Sequence, residues 1–237
     1  MHCTIVGFGP SISAGRGSIQ LLFVSRIWNL SYRAKRNIDT LLIVYHIIMD
    51  KEDLLARIKP HLNSPASLGN PIYKTFSLSS VVVLIHFNKL SPHVLLTKRN
   101  SSLRSHGGEI SFPGGRYTKE DENLLNTAIR ETGEEIGIKL TAGDILGCLN
   151  AVKTLTSNFF IVPFVSILQN IDQPIPFADE VEAVLDLPLM SLLSTMSPDT
   201  EHISIDELYK FNYDSYLIWG ATARILKQLN EFITPSF

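Results

Sequence analysis

Residues 112–138 constrain this chain more than any other stretch. Phe112-Pro113-Gly114-Gly115 is a rigid turn ending in two residues free to adopt positive φ. A helix is predicted directly after it. Thr118 can cap that helix, with Asp121 three residues on completing a capping box, and Gly137 ends it. Leu125, Ile129, Thr132 and Ile136 recur at spacings of 4, 3 and 4, so they form one buried stripe. Glu131, Glu134 and Glu135 fall within about a 100° arc, turned roughly 140° from that stripe. One side of the helix is therefore core and the other is concentrated negative charge. Like charges so close repel by a few tenths of a kcal/mol (~0.3) per exposed pair, and more when desolvated. Accumulating them without basic partners on that face points to a bound cation. Oxygen-only donors point to a hard ion, Mg²⁺ or Mn²⁺. An acidic helix face alone is usually just solvated. The adjacent turn, which brings backbone N–H groups close to a ligand, favours a site.

The surrounding chain reads as one α/β domain. Asp50 to about His61 is predicted helical. Ser80–Phe87 is a β-branched run and so a buried strand; His93–Lys98 is a second strand, and the two form a hairpin across Asn88–Pro92. A loop runs to Gly115. Ile145–Val152 and Phe159–Leu168 read as further strands, Val181–Asp186 as another, Leu187–Ser194 as a short helix, Tyr216–Trp219 as a last strand and Ala221–Phe232 as a C-terminal helix.

Charge divides the chain unevenly. Residues 1–48 hold five basic residues (Arg16, Arg26, Arg33, Lys35, Arg36) against one acid, Asp39; the remainder holds 16 basic against 22 acidic residues. The first segment is expected to be an organelle presequence, an ordinary extension, or absent from the mature protein, since Met49-Asp-Lys-Glu-Asp opens like a natural start. Its apolar runs Leu21–Val24 and Leu41–Met49 are shorter than the ~18 residues a spanning helix needs, so no stable membrane insertion is expected. A formal net charge of −2 argues against a broad nucleic-acid surface. Cys3 and Cys148 give neither a disulfide framework nor a zinc site, and Cys148 reads as a small core residue. His46, His61, His86, His93 and His202 show no metal-ligand spacing; His106 reads as a loop residue. The organisation expected is an extension over 1–48, a helix and linker over 49–76, and a catalytic domain over 77–237.

Arg130-Glu131-Thr132-Gly133-Glu134-Glu135-Ile136-Gly137-Ile138 resembles the second half of the Nudix box, matching at Arg130, Glu131, Glu134, Glu135, Gly137 and Ile138. Thr132 stands where an apolar residue is usual. The interval from Gly115 to Arg130 is one residue longer than in the general pattern, so Asp121 or Glu122 takes the place of the early acid. That longer interval resembles the coenzyme A diphosphatase branch of the family. So does an upstream signature: Leu95-Leu96-Thr97-Lys98-Arg99-Asn100, Arg104, Gly108 and the Phe112–Gly115 turn, with only Asn100 departing from the Ser expected. The Ile218–Thr222 stretch also looks like the family.

The resemblance implies a Nudix-type α/β/α sandwich with a mixed β-sheet. It implies a metal-dependent hydrolase that cleaves coenzyme A or acyl-CoA into adenosine 3′,5′-bisphosphate and (acyl-)4′-phosphopantetheine. Glu131 and Glu135 would bind Mg²⁺ or Mn²⁺. Glu134 would hold a second ion or take the proton of the attacking water, and Arg130 would orient the glutamates. Lys98, Arg99 and Arg104 would bind phosphate oxygens, beside Gly114 and Gly115. Asp179, Glu180 and Glu182 are further acids that could assist the base. The alternatives are a Nudix hydrolase of another nucleoside diphosphate derivative, such as ADP-ribose or a dinucleotide, and a silent nucleotide-binding module. An intracellular protein is expected, with a peroxisomal or mitochondrial address in residues 1–48, or a cytoplasmic one.

Overall fold

The computed structural model describes residues 49–64, 76–103, 106–154, 158–177, 179–202 and 207–234. The calls on residues 1–48 and on Arg104 therefore lie outside the described residues.

Helix α1 (Lys51–Ile58) opens this part of the chain, with the Asp50 carboxylate accepting from Asp53 N at 2.9 Å, and passes into a 3₁₀ turn at Lys59–His61. Strand β1 (Ser77–Asn88) and strand β2 (Ser91–Arg99) form the expected antiparallel hairpin, each longer than the sequence run suggested. The stretch read as loop before Gly115 holds two short strands, β3 (Ile110–Ser111) and β4 (Gly114–Arg116). Helix α2 (Leu124–Ile136) follows. Strand β5 (Gly147–Cys148) and strand β6 (Val152–Lys153) replace the single strand expected over 145–152. Then come strand β7 (Phe159–Ile167), strand β8 (Val181–Pro188) and helix α3 (Leu189–Leu193). Strands β9 (Met196–Pro198) and β10 (Tyr209–Tyr213) were not expected; β11 (Tyr216–Ile218) and helix α4 (Gly220–Ile233) were.

The main sheet is mixed. Its path is β3-β2-β1-β7-β5, with β4 also pairing β1, β6 pairing β7 and β8 pairing β2. Among the described residues, only β1 and β7 run parallel. A small antiparallel sheet, β11-β10-β9, lies apart from it in pairing.

Strand β1 explains the layering. Successive side chains of a strand point to opposite faces, and β1 is apolar at both parities, as a strand buried on both faces must be. Val81, Val83, Ile85 and Phe87 join one core with Leu54 and Ile58 of α1, Leu192 of α3, and Ile225, Leu226 and Leu229 of α4. Val82 and Leu84 join a second core with Ala128 and Ile136 of α2 and Phe164 of β7. Helices thus cover both faces, and the α/β/α sandwich is the observed architecture. The Arg57 guanidinium donates to Ile233 O at 2.6 Å and His61 stacks on Phe232 at 4.2 Å, which fasten α1 to the end of α4. Thr222 Oγ1 donates to Ile110 O at 3.0 Å, tying the start of α4 to β3.

The entry to α2 differs from expectation. The Thr118–Asp121 capping box is present, but it closes a 3₁₀ turn over Lys119–Asp121, and Glu122 then takes a positive φ of 63°. Asn123 is the cap of α2, its side chain accepting from Asn126 N at 2.9 Å. Gly137 ends the helix in the left-handed region with φ 73°, as expected. Thr132 is buried without penalty because its hydroxyl donates to Ala128 O at 2.7 Å.

Candidate active site

The turn and the helix meet where β4 pairs with β1, Val81 opposite Gly114 and Ser80 opposite Gly115. Both glycines are required there, for different reasons. Gly114 has φ +151°, and a Cβ on it would collide with the backbone of Ser80 and Val81. Gly115 has no positive φ, contrary to the expectation for both positions; a Cβ on it would overlap the Glu131 carboxylate. The missing side chain at 115 is the space Glu131 occupies.

Glu135 is buried, and Gly114 N donates to its Oε2 at 3.0 Å. Glu131 and Glu135 therefore share one cradle, the Gly114-Gly115 backbone. Burial pushes the Glu135 carboxyl up to about 7; the Gly114 N–H and Arg99 act against this, while the charges of Glu131 and Glu180 add to it. Burial also raises Glu131, with Arg130 opposing and Glu134 and Glu180 adding. Two oxygen donors held out of water, each disfavoured as a bare anion, beside a backbone cradle that a Cβ would fill, fit a hard divalent cation.

Glu134 stands outside this cradle. It is exposed, and Arg130 Nη1 donates to its Oε2 at 2.7 Å. Arg130 is the hub of the face: its Nε and Nη2 donate to the two oxygens of Asp121 at 2.6 and 2.9 Å, and Nη2 also lies 2.9 Å from Glu131 Oε1. Arg130 thus binds three carboxylates at once. Asp121 is buried and also accepts from Thr118 N and from the Thr118 and Thr127 hydroxyls. The Arg130 guanidinium holds its carboxyl far below the usual range. With its oxygens so occupied, Asp121 braces Arg130 and is no metal donor.

The basic residues separate. The β2–β8 register breaks between Lys98 and Arg99, a type of irregularity that re-aims side chains. Lys98 Nζ pairs with Glu182 Oε1 at 2.6 Å, so the structure gives it an acid partner rather than an open face. Ser101 Oγ donates to the other Glu182 oxygen at 2.8 Å. Arg99 Nη1 instead lies 3.9 Å from Glu135 Oε1, and its Nε is buried with no hydrogen-bond partner among the described residues. Glu180 comes to the acidic face by a route the sequence showed only as a run of acids. The chain over 175–177 crosses the end of α2, where Ile175 N donates to Ile136 O and Phe177 N to Glu135 O, both at 2.9 Å.

Carboxylates cradled by a glycine turn on an α/β/α sandwich, with an arginine beside them, define the class: a hydrolase of phosphorus anhydrides that works with a divalent metal. The comparisons make that class particular. The NUDIX domain family matches residues 77–205. The Nudix hydrolase NudL of Yersinia pestis (strain Pestoides F) is 33% identical over 150 residues, covering 60% of this chain and 73% of that protein, as is NudL of Yersinia pseudotuberculosis (strain IP 31758). A MutT/nudix protein from Enterococcus faecalis is 16% identical, covering 77% of this chain and 73% of that one at TM-score 0.49. The NUDIX domain of Shewanella oneidensis NrtR, solved with ADP ribose, is 21% identical over 54% of this chain and 84% of that one at TM-score 0.43. The chain belongs to the Nudix family and is a hydrolase acting on nucleoside diphosphate derivatives. Among the described residues, no helix is long and apolar enough to cross a membrane.

Proposed function

We propose that this protein is a coenzyme A diphosphatase, cleaving the diphosphate of coenzyme A and acyl-CoA to adenosine 3′,5′-bisphosphate and (acyl-)4′-phosphopantetheine. One observation carries the reading: Arg99, from the upstream signature, reaches within 3.9 Å of Glu135 on the metal-binding helix. The two signatures of the coenzyme A branch thereby meet at one place.

In this reading Glu131 and Glu135 hold Mg²⁺ or Mn²⁺. Bound there, the ion supplies charge neutralisation on the diphosphate and acidifies a water. The chain does the rest. The Gly114-Gly115 backbone lets the diphosphate approach the helix closely. Arg99, its side chain partly exposed, offers its guanidinium to phosphate oxygens, and Arg104 of the same signature adds a second cation. Lys98 contributes through its ion pair with Glu182, by steadying the strand end. Arg130 is a positioning residue, fixed by Asp121 and aligning Glu131 and Glu134. Glu134, outside the cradle and open to solvent, takes the proton of the attacking water.

The test is a product assay with Mg²⁺ on coenzyme A, its 3′-dephosphorylated form and ADP-ribose. Coenzyme A should turn over fastest, yielding adenosine 3′,5′-bisphosphate. Equal or better turnover of ADP-ribose, or indifference to the 3′-phosphate, would overturn the substrate assignment while leaving the hydrolase intact.

A further inference from the structure

A second group of donors lies at the far end of β1, away from the glycine turn. His86 of β1 pairs directly with His93 of β2, and Asp186 of β8 lies diagonally across from His93, two residues from its partner Pro188. All three side chains leave the same face of the sheet, the face that carries Val82, Leu84 and Leu95 beneath α2. His86 Nε2 and His93 Nδ1 converge on one atom, Asp186 Oδ1, at 2.9 and 3.0 Å. Their rings sit 5.7 Å apart. Among the described residues this is the one cluster of three or more His, Cys, Asp or Glu whose donor atoms all lie within 4.8 Å of one another. The nucleotide-hydrolysing chemistry makes no use of it. Val81, opposite Gly114, is five residues back along β1, roughly 16 Å at strand rise.

We propose that His86, His93 and Asp186 form a separate site for a borderline divalent transition ion, Zn²⁺ being the best match. The donor set is two imidazole nitrogens and one carboxylate, which suits such ions, whereas the all-oxygen glutamate cradle suits Mg²⁺. The spacing suits them too. Ligands about 2.0–2.1 Å from a tetrahedral ion stand about 3.3 Å apart; the two His–Asp distances of 2.9 and 3.0 Å need to lengthen only slightly to reach that, and all three donors lie within 4.8 Å of one another. As a ligand, each imidazole would turn a lone pair on His86 Nε2 and His93 Nδ1 to the ion and carry its proton on the other ring nitrogen. His86 is buried and His93 half-buried, so two ligands are pre-set by packing; Asp186 is the exposed one. An open cleft of about 400 Å³ borders His86 and Asp186, with Asn170, Asp172 and Gln173 along its wall. That cleft gives water or an exchangeable ligand a route to His86 and Asp186.

The experiment uses the full chain, stripped of metal with a chelator and titrated with Co²⁺ and then Zn²⁺. Wild-type protein should give the intense visible bands of four-coordinate nitrogen-ligated Co²⁺, displaced by one equivalent of Zn²⁺. His93→Gln and Asp186→Asn, which alter less buried members than His86, should abolish the bands, weaken Zn²⁺ binding by more than the roughly tenfold that loss of an outer-shell partner costs, and retain Mg²⁺-dependent hydrolysis. Glu135→Gln should keep the bands. Bands that survive in both His93→Gln and Asp186→Asn, or that vanish only in Glu135→Gln, would overturn the site. So would a wild-type spectrum showing weak six-coordinate cobalt alone.

Discussion

Single residues decide what the acidic helix can do, and Glu135 shows how. It is a carboxylate whose burial disfavours its charged form. Its folded pKa of about 7 lies above the ordinary 4.5. Its contribution to stability is therefore full below about pH 4.5 and is lost as pH rises through 7, because the unfolded chain gives up the proton first. Glu135→Gln keeps an acceptor for Gly114 N and removes that loss. In chelator the variant should match wild type near pH 4 and exceed it by about 1–3 kcal/mol at pH 8, read by urea unfolding at both pH values, while hydrolysis collapses. This scale was well marked in the sequence. Glu131, Glu135 and both glycines stood out from residue type and spacing. The reason for Gly115 did not, because it lies in contact with a side chain sixteen positions away. His86, His93 and Asp186 were passed over for the same cause: a hairpin register and a third strand bring them together, and neither is visible as spacing.

At the level of elements, α2 is held by its own entry turn. Asp121 ends a 3₁₀ turn and grips Arg130 with both oxygens, so the turn and the middle of the helix form one clamp. The carboxyl lies below its usual range, so the clamp stabilises the fold above about pH 4 and that contribution fades as pH falls below it. Asp121→Asn is expected to reduce stability by about 2–3 kcal/mol at pH 7, with the gap to wild type narrowing under acid, as thermal unfolding across pH would reveal. The capping signal at Thr118 was legible, but which helix it capped was not. A 3₁₀ turn and an α-helix share their first turn's chemistry, and only the positive φ at Glu122 parts them. The short strands β3, β4, β9 and β10 escaped notice, and β5 and β6 were read as one strand, because two to five residues carry too little periodicity to read.

Across the whole molecule, the strands β1, β2 and β7 are shared by two cores. Helix α1 belongs to the first of them: Leu54 and Ile58 are fully buried. Leu54→Ala should cost about 2–5 kcal/mol in urea denaturation, with hydrolysis under native conditions unchanged. Loss of hydrolysis without loss of stability would place α1 at the site instead. The α/β/α sandwich was implied by the resemblance to the Nudix signatures, and the β1–β2 hairpin was legible from its turn. The pairing of β8 with β2 and of β1 with β7 was not, because long-range strand order leaves no mark in local pattern.

The backbone strap over the end of α2 carries one last consequence. Because Ile175 and Phe177 dock on helix carbonyls while Glu180 O accepts from Asn100 N beside the Arg99–Val181 pair, Glu180 is set from the helix on one side and the sheet on the other. Glu180 N and Val181 N both donate to Phe177 O, so a residue added between 177 and 180 would break those bonds, like a link forced into a chain pinned at both ends.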